Sequence, residues 1–317
     1  ELETYYEKTK SPLINYHKKF LELGYYEHRG NYSKAQSVCL ELLDVVKDNK
    51  SVYRRQRLGV VRDNLSRCKY YLGDFEQARE WARLAQKEFN TGSENYCIAL
   101  EQEFYALFAM EKYNEAADIA QKMISSATRK ELGEFRDAKY HYLLANAFFK
   151  LSRFREALNL LSQERELSKD KAGWETGART LKIMTLIEML RLDEASLAVN
   201  SLKQFFTYTE KNGTPISPRD KKILNLLLVA ERKGFMFNIV NGSADKYMEA
   251  LTPPTPKGEQ SPASPFRDGA NGGQLQWEPF THEVIPFHGW FANKMGNRKA
   301  VGSKQAVSGK SKDLVKN

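Results

Sequence analysis

No run of eighteen apolar residues occurs in this chain, which excludes a hydrophobic transmembrane helix. Cysteine is scarce: Cys39, Cys68 and Cys97 stand 29 residues apart, with no Cys-x-x-Cys pair and no histidine cluster beside them. An odd, dispersed set argues against a disulfide framework or a zinc site and fits reduced core thiols in a cytoplasm-like compartment. Also missing are Gly-x-Gly-x-x-Gly, Gly-x4-Gly-Lys-Ser/Thr, His-Glu-x-x-His and Gly-x-Ser-x-Gly, so dinucleotide, phosphate, zinc-hydrolase and nucleophile-elbow chemistry lack their carriers. The expectation is a protein that is not an enzyme and uses neither cofactor nor metal. The chain opens at Glu1 with neither an initiator Met nor a signal-like apolar core, which suits a piece of a longer protein and leaves a removed signal peptide open.

Proline and glycine are rare inside the periodic stretches of 1–250 and gather in 251–275, which holds five Pro and four Gly and reads as a linker. Its Thr252-Pro253, Thr255-Pro256, Ser261-Pro262 and Ser264-Pro265 pairs suit a semi-rigid polyproline-like spacer, with phosphorylation as the alternative. The net charge of +9 is largely a property of the end: 294–317 carries a local +6 and reads as a solvated, flexible basic tail.

What the chain does contain is a repeated phrase. Gly30-Asn31-Tyr32-Ser33-Lys34-Ala35 returns as Gly73-Asp74-Phe75-Glu76-Gln77-Ala78, Glu111-Lys112-Tyr113-Asn114-Glu115-Ala116 and Ser152-Arg153-Phe154-Arg155-Glu156-Ala157, with a weaker fifth at Leu190-Arg191-Leu192-Asp193-Glu194-Ala195. The Ala-to-Ala steps are 43, 38, 41 and 38 residues, enough for two helices and short connections at ~1.5 Å per residue. Helix pairs are expected over about 13–29 and 33–46, 52–72 and 75–89, 94–110 and 114–126, 133–151 and 155–168, and 176–190 and 193–210. In the first helix, started by Ser11-Pro12, the inward stripe is read as Leu13, Ile14, Phe20, Leu21 and Tyr25, and Ser33 is read as the cap of its partner. Ser217-Pro218 starts an end helix running to about Ile239, and 244–251 adds a short helical turn.

These units resemble the tetratricopeptide repeat (TPR) family over roughly 13–210. The family places a small residue at the turn, an aromatic two positions later and Ala beyond it, with small residues at the helix crossings; Ser66, Ala82, Ala85, Ala120 and Ala145 match the latter. Two departures stand out: the spacing exceeds the family's usual 34 residues, and the closing Pro is absent. The resemblance implies an all-α superhelix of about five helix pairs and an end-capping helix over 1–250, with the first helix of each pair lining the concave face. Groove candidates are then His17 and Phe20; Asp63, Arg67, Tyr70 and Tyr71; Glu101, Tyr105 and Phe108; Tyr142, Asn146 and Phe149; and Thr180. Aromatics with a few charges and amides suit an extended peptide or partner helix. A carboxylate clamp for an acidic peptide end is rejected, because Asp63 and Glu101 stand where cationic or amide groups belong, although Lys139 and Asn146 are compatible. The same two acids disfavour RNA. The functional expectation is a cytoplasmic protein-interaction scaffold or adaptor, with a peptide-sensing module of a longer protein as the alternative.

Beyond the linker, 276–293 holds five large aromatics, Trp277, Phe280, Phe287, Trp290 and Phe291, interrupted by Pro279 and Pro286. That density is hazardous in water. It reads as an extended docking segment that folds back on the helical stack, with His282 and His288 in packing or surface roles.

Overall fold

The computed structural model describes residues 2–126, 129–163, 173–240, 242–252 and 277–296, and every regular element among them is helical. They fall into two compact units, one holding the described residues through 163 and the other those from 173 onward. The linker beyond Thr252 and the basic tail beyond Gly296 lie outside the described residues.

In the first unit a short helix α1 (Leu2–Thr9) precedes four pairs: α2 (Pro12–His28) with α3 (Tyr32–Asp48), α4 (Arg55–Tyr71) with α5 (Phe75–Gln86), α6 (Glu94–Ala109) with α7 (Tyr113–Ser126), and α8 (Arg129–Lys150) with α9 (Phe154–Ser162). Gly133, at φ 74° and ψ 161°, breaks α8 near its start, so the uninterrupted helix follows that glycine. In the second unit α10 (Trp174–Glu188) pairs with α11 (Leu192–Lys211), followed by α12 (Pro218–Arg232), a 3-10 turn at Phe237–Ile239, α13 (Asp245–Leu251) and a helix over 287–296, here α14.

The repeated phrase is a helix stop fused to a helix start. At Gly30, Gly73, Glu111, Ser152 and Leu190 the backbone turns left-handed, with φ of 68°, 81°, 60°, 59° and 58°. The amide of that residue and the next one then close back on the preceding helix. Gly30 N–H donates to Glu27 O and Asn31 N–H to Tyr26 O, each at 2.9 Å, and the same two bonds recur at the four other turns. This is the Schellman arrangement, which satisfies carbonyls that a helix end leaves bare. Two turns use glycine, and three force an L-residue into a conformation that costs roughly 1–2 kcal/mol. Asn31 and Asp74 then cap the next helices, accepting from Lys34 N at 3.1 Å and Gln77 N at 3.2 Å. The cap of α3 is therefore Asn31, not Ser33, because the turn hydrogen bonds place the helix start two residues earlier.

Alanine in the phrase sits where two helices cross: Ala35, Ala78, Ala116, Ala157 and Ala195 are all fully buried. Ser66 Oγ donates to Ala78 O at 2.7 Å across the α4–α5 crossing, which a larger side chain would hold apart. In the second, third and fourth pairs the aromatic three residues before the Ala packs edge-on against one five positions earlier, Phe75 on Tyr70, Tyr113 on Phe108 and Phe154 on Phe149, with centroids 5.1–5.4 Å apart. The first pair differs. Glu27 occupies that earlier position, and Tyr32 instead stacks on Tyr71 of the next pair, with centroids 3.9 Å apart and planes at 3°.

The face of α2 is a correction. Tyr16 and Leu23 are its buried residues, whereas Leu13, Phe20, Leu21 and Tyr25 are exposed, Leu21 at 65%. Both faces of this helix carry large apolar groups, so periodicity admits two registers. In the second unit, α12 stops at Arg232 rather than near Ile239. Gly234 and Phe235 are both left-handed, and Phe235 N–H returns to Ala230 O at 2.8 Å.

Candidate functional site

First helices of consecutive pairs approach one another more closely, α4 to α6 and α6 to α8, than second helices do. With Glu27 of α2 facing Arg67 of α4, the first helices α2, α4, α6 and α8 follow one another as one wall of the first unit. Helical spacing puts Asp63 and Arg67 one turn apart on α4 and Glu101 and Tyr105 one turn apart on α6. Three ion pairs tie neighbouring first helices together, one of them between Arg136 of α8 and Glu94 of α6. Arg67 Nε lies 3.6 Å from Glu27 Oε1, and Lys139 Nζ lies 2.6 Å from Glu101 Oε2. Arg67 also donates from its terminal nitrogen to Asn64 Oδ1 at 2.7 Å.

The sequence-derived candidates separate by exposure. Arg67, Tyr71 and Glu101 are half-buried and reach the wall surface, while Asp63, Tyr70, Tyr105, Tyr142 and Asn146 are buried. Asn146 donates to Tyr142 O on its own helix at 2.9 Å. Thr180 is buried on α10 of the second unit. Of the others, His17 and Phe20 are exposed, Phe108 is half-buried, and Phe149 is buried under the turn aromatic Phe154. Burial raises the Tyr70, Tyr105 and Tyr140 phenols above their ordinary values, so they serve the wall as neutral groups.

Asp63 is the electrostatic centre of this wall. It is 7% exposed, and its Oδ1 is buried and accepts no hydrogen bond from the described residues. Burial raises its carboxyl to about 7; Arg67 works against that shift, and Glu101 and Glu27 add to it. Burial likewise raises the Glu27 carboxyl against the pull of Arg67. Burial opposes the Arg67 charge, but Glu27 and Asp63 outweigh it and hold the guanidinium above its ordinary value. Glu27 was not a sequence candidate. Its signal was legible, since it alone stands where later pairs carry Tyr70, Phe108 and Phe149.

The second unit holds a different cluster, built by residues 277–296. Phe287 and Phe291 are fully buried, and Phe291 meets Phe237 edge-on at 5.2 Å. Trp290 Nε1 donates to Glu188 Oε1 and Trp277 Nε1 to Glu283 O, both at 2.7 Å, while Phe280 is half-buried at a left-handed turn. Arg219 donates to both Glu283 oxygens at 2.5 and 2.8 Å, and Phe287 N–H donates to Oε1 at 2.7 Å. His282 Nε2 lies 2.9 Å from Asp220 Oδ1. Arg219 also donates to His288 Nδ1 at 3.1 Å, which leaves the ring proton on Nε2; burial and that guanidinium keep His288 below its ordinary pKa. The extended form expected for this segment holds only in part. Pro286 starts α14, its carbonyl accepting from Gly289 and Trp290, and a proline at a helix start sacrifices no helical hydrogen bond.

Among the described residues no group of His, Cys, Asp and Glu is arranged to hold a metal ion, and no helix is long and apolar enough to cross a membrane. No family model matches the sequence, and no curated relative does. A solved structure with the same fold is that of a putative kinesin light chain from Podospora anserina, a variant form described as having nearly identical TPR-like repeats. Its TM-score is 0.53 at 12% identity, over 62% of this chain and 96% of that one. The present chain therefore has a TPR-like repeat fold.

Proposed function

We propose that this protein is a non-catalytic interaction scaffold whose first unit takes a peptide or a partner helix along α2, α4, α6 and α8. The observation that carries this reading is the wall itself, where Arg67, Tyr71, Glu101 and Lys139 from three successive first helices stand half-buried at the surface over a floor of buried tyrosines. Amphipathic aromatics supply contact area at low entropic cost, and fixed charges set register and polarity. TPR-like folds in general serve as interaction scaffolds, and that analogy supports the class of function rather than the partner. Cys39, Cys68 and Cys97, all free and buried, fit work in a reducing compartment such as the cytoplasm.

A random 12-residue peptide display library selected against the protein tests this reading. Selected peptides are expected to lose at least tenfold in affinity on Arg67→Glu or Tyr71→Ala and to keep it on Glu80→Lys, a change on the exposed side of α5. Failure to select any peptide, or binding indifferent to both wall variants, would overturn it.

A further inference from the structure

The three acids of the wall are not equally compensated. Glu101 is bonded to Lys139 at 2.6 Å, whereas Glu27 only faces Arg67 at 3.6 Å, its Oε1 buried and without a hydrogen bond among the described residues. Asp63, between them in helix order on α4, has among the described residues neither an ion pair nor a hydrogen bond at Oδ1, although it is more than nine-tenths buried. A buried carboxylate oxygen without a donor is a rare and costly arrangement, and a group left so asks what completes it. The charges that act on Asp63 are Arg67 on its own helix, Glu101 on α6 and Glu27 on α2, two acids against one base. Arg67 is already shared with Glu27 and Asn64.

Resting on the peptide-binding reading above, we infer that the anchor of the bound partner is a cation, a Lys or Arg side chain inserted between α2, α4 and α6, donating to Asp63 Oδ1 and flanked by Glu27 and Glu101. Two features favour a side-chain cation. The missing element is a donor, and the uncompensated charge is negative, with Glu27, Asp63 and Glu101 set against Arg67 and Lys139. The orientation is opposite to an acid-end clamp. The chain as a whole carries +9, so non-specific attraction would favour an acidic peptide, and a preference for a basic one would have to come from this local site.

The test uses three fluorescein-labelled ten-residue peptides sharing a Leu/Tyr framework, with Lys, Gln or Glu at the remaining positions, and fluorescence anisotropy against the full chain. The Lys peptide is expected to bind at least tenfold more tightly than the Gln peptide, with the Glu peptide weakest. Asp63→Asn should bring the Lys peptide to within threefold of the Gln peptide and leave the Gln peptide unchanged. Glu101→Gln, which removes one of the flanking acids, should also weaken the Lys peptide and serves if Asp63→Asn disturbs folding. Equal or tighter binding of the Gln or Glu peptide, or a Lys advantage that survives both variants, would overturn the inference and leave the peptide-binding reading standing. Binding by none of the three would overturn both.

Discussion

Two buried charge clusters, one in each unit, have been built to opposite standards. Around Arg219 in the second unit, Glu283 receives both guanidinium hydrogen bonds and a backbone N–H, His288 takes a further donor, and Asp220 meets both Ser217 and His282. Around Asp63 in the first unit, Glu101 is bonded to Lys139, while Asp63 Oδ1 and Glu27 Oε1 find no hydrogen-bond donor among the described residues. Low dielectric makes both arrangements consequential: a complete network fixes one geometry, and an incomplete one stores an unmet demand. The first holds the segment 277–296 in place. The second is what the proposed binding wall would offer a ligand.

The comparison breaks most visibly at Glu283. Glu283→Gln removes the carboxylate to which the buried Arg219 is doubly bonded, and removing one member of a buried pair costs about 3–5 kcal/mol. Thermal denaturation followed by circular dichroism should show the transition of the second unit displaced downward by many degrees. An unchanged transition would mean that 277–296 contributes little to it.

Asp63→Asn should act in the opposite direction. With its folded value raised to about 7, Asp63 gives stability that is fully present below its unfolded value near 4 and is lost as pH rises through about 7. At pH 8 the variant should therefore be more stable than the parent by roughly 1–3 kcal/mol, and the difference should vanish towards pH 4. Chemical denaturation at the two pH values measures it.

His288 gives the opposing slope. Its folded value is lowered, so the unfolded state binds the proton first, and its contribution is lost as pH falls below the ordinary histidine value near 6.5. Parent minus His288→Gln stability should therefore shrink as pH drops from 7 to 5, whereas parent minus Asp63→Asn should grow over the same interval.

The smallest effect lies at the turns. Leu190→Gly and Ser152→Gly relieve a left-handed backbone but add freedom to the unfolded chain, for a net gain of about 0.5–1 kcal/mol. Gly73→Ala should lose a comparable amount, and equilibrium denaturation of the three variants reads both signs.

The repeated phrase made the architecture legible because it encodes local events. A turn residue, a capping Asn31 or Asp74, an edge-packed aromatic and a buried Ala are each decided within a few residues of one another. What escaped the sequence depends on neighbours further away. The buried face of α2 is chosen by what packs beside it, and with apolar groups on both faces Tyr16 and Leu23 could not be separated from Leu21 and Tyr25. The depth of Tyr105 and Tyr142 is set by the adjoining helices, and a one-position change of register on a helix moves a side chain by about 100°. Glu27 was visible only as the missing aromatic of its pair. Helix α14 was hidden because Pro286 reads as a breaker in the middle of an aromatic run and serves as a starter at its boundary.

The most direct measurement is a 13C NMR titration of the Asp63 carboxyl in the presence and absence of the Lys-containing peptide. The midpoint is expected near 7 in the free protein and at least one pH unit lower when the peptide is bound. A midpoint near 4 in the free protein, or one that the bound peptide leaves unmoved, would contradict the inferred cation site.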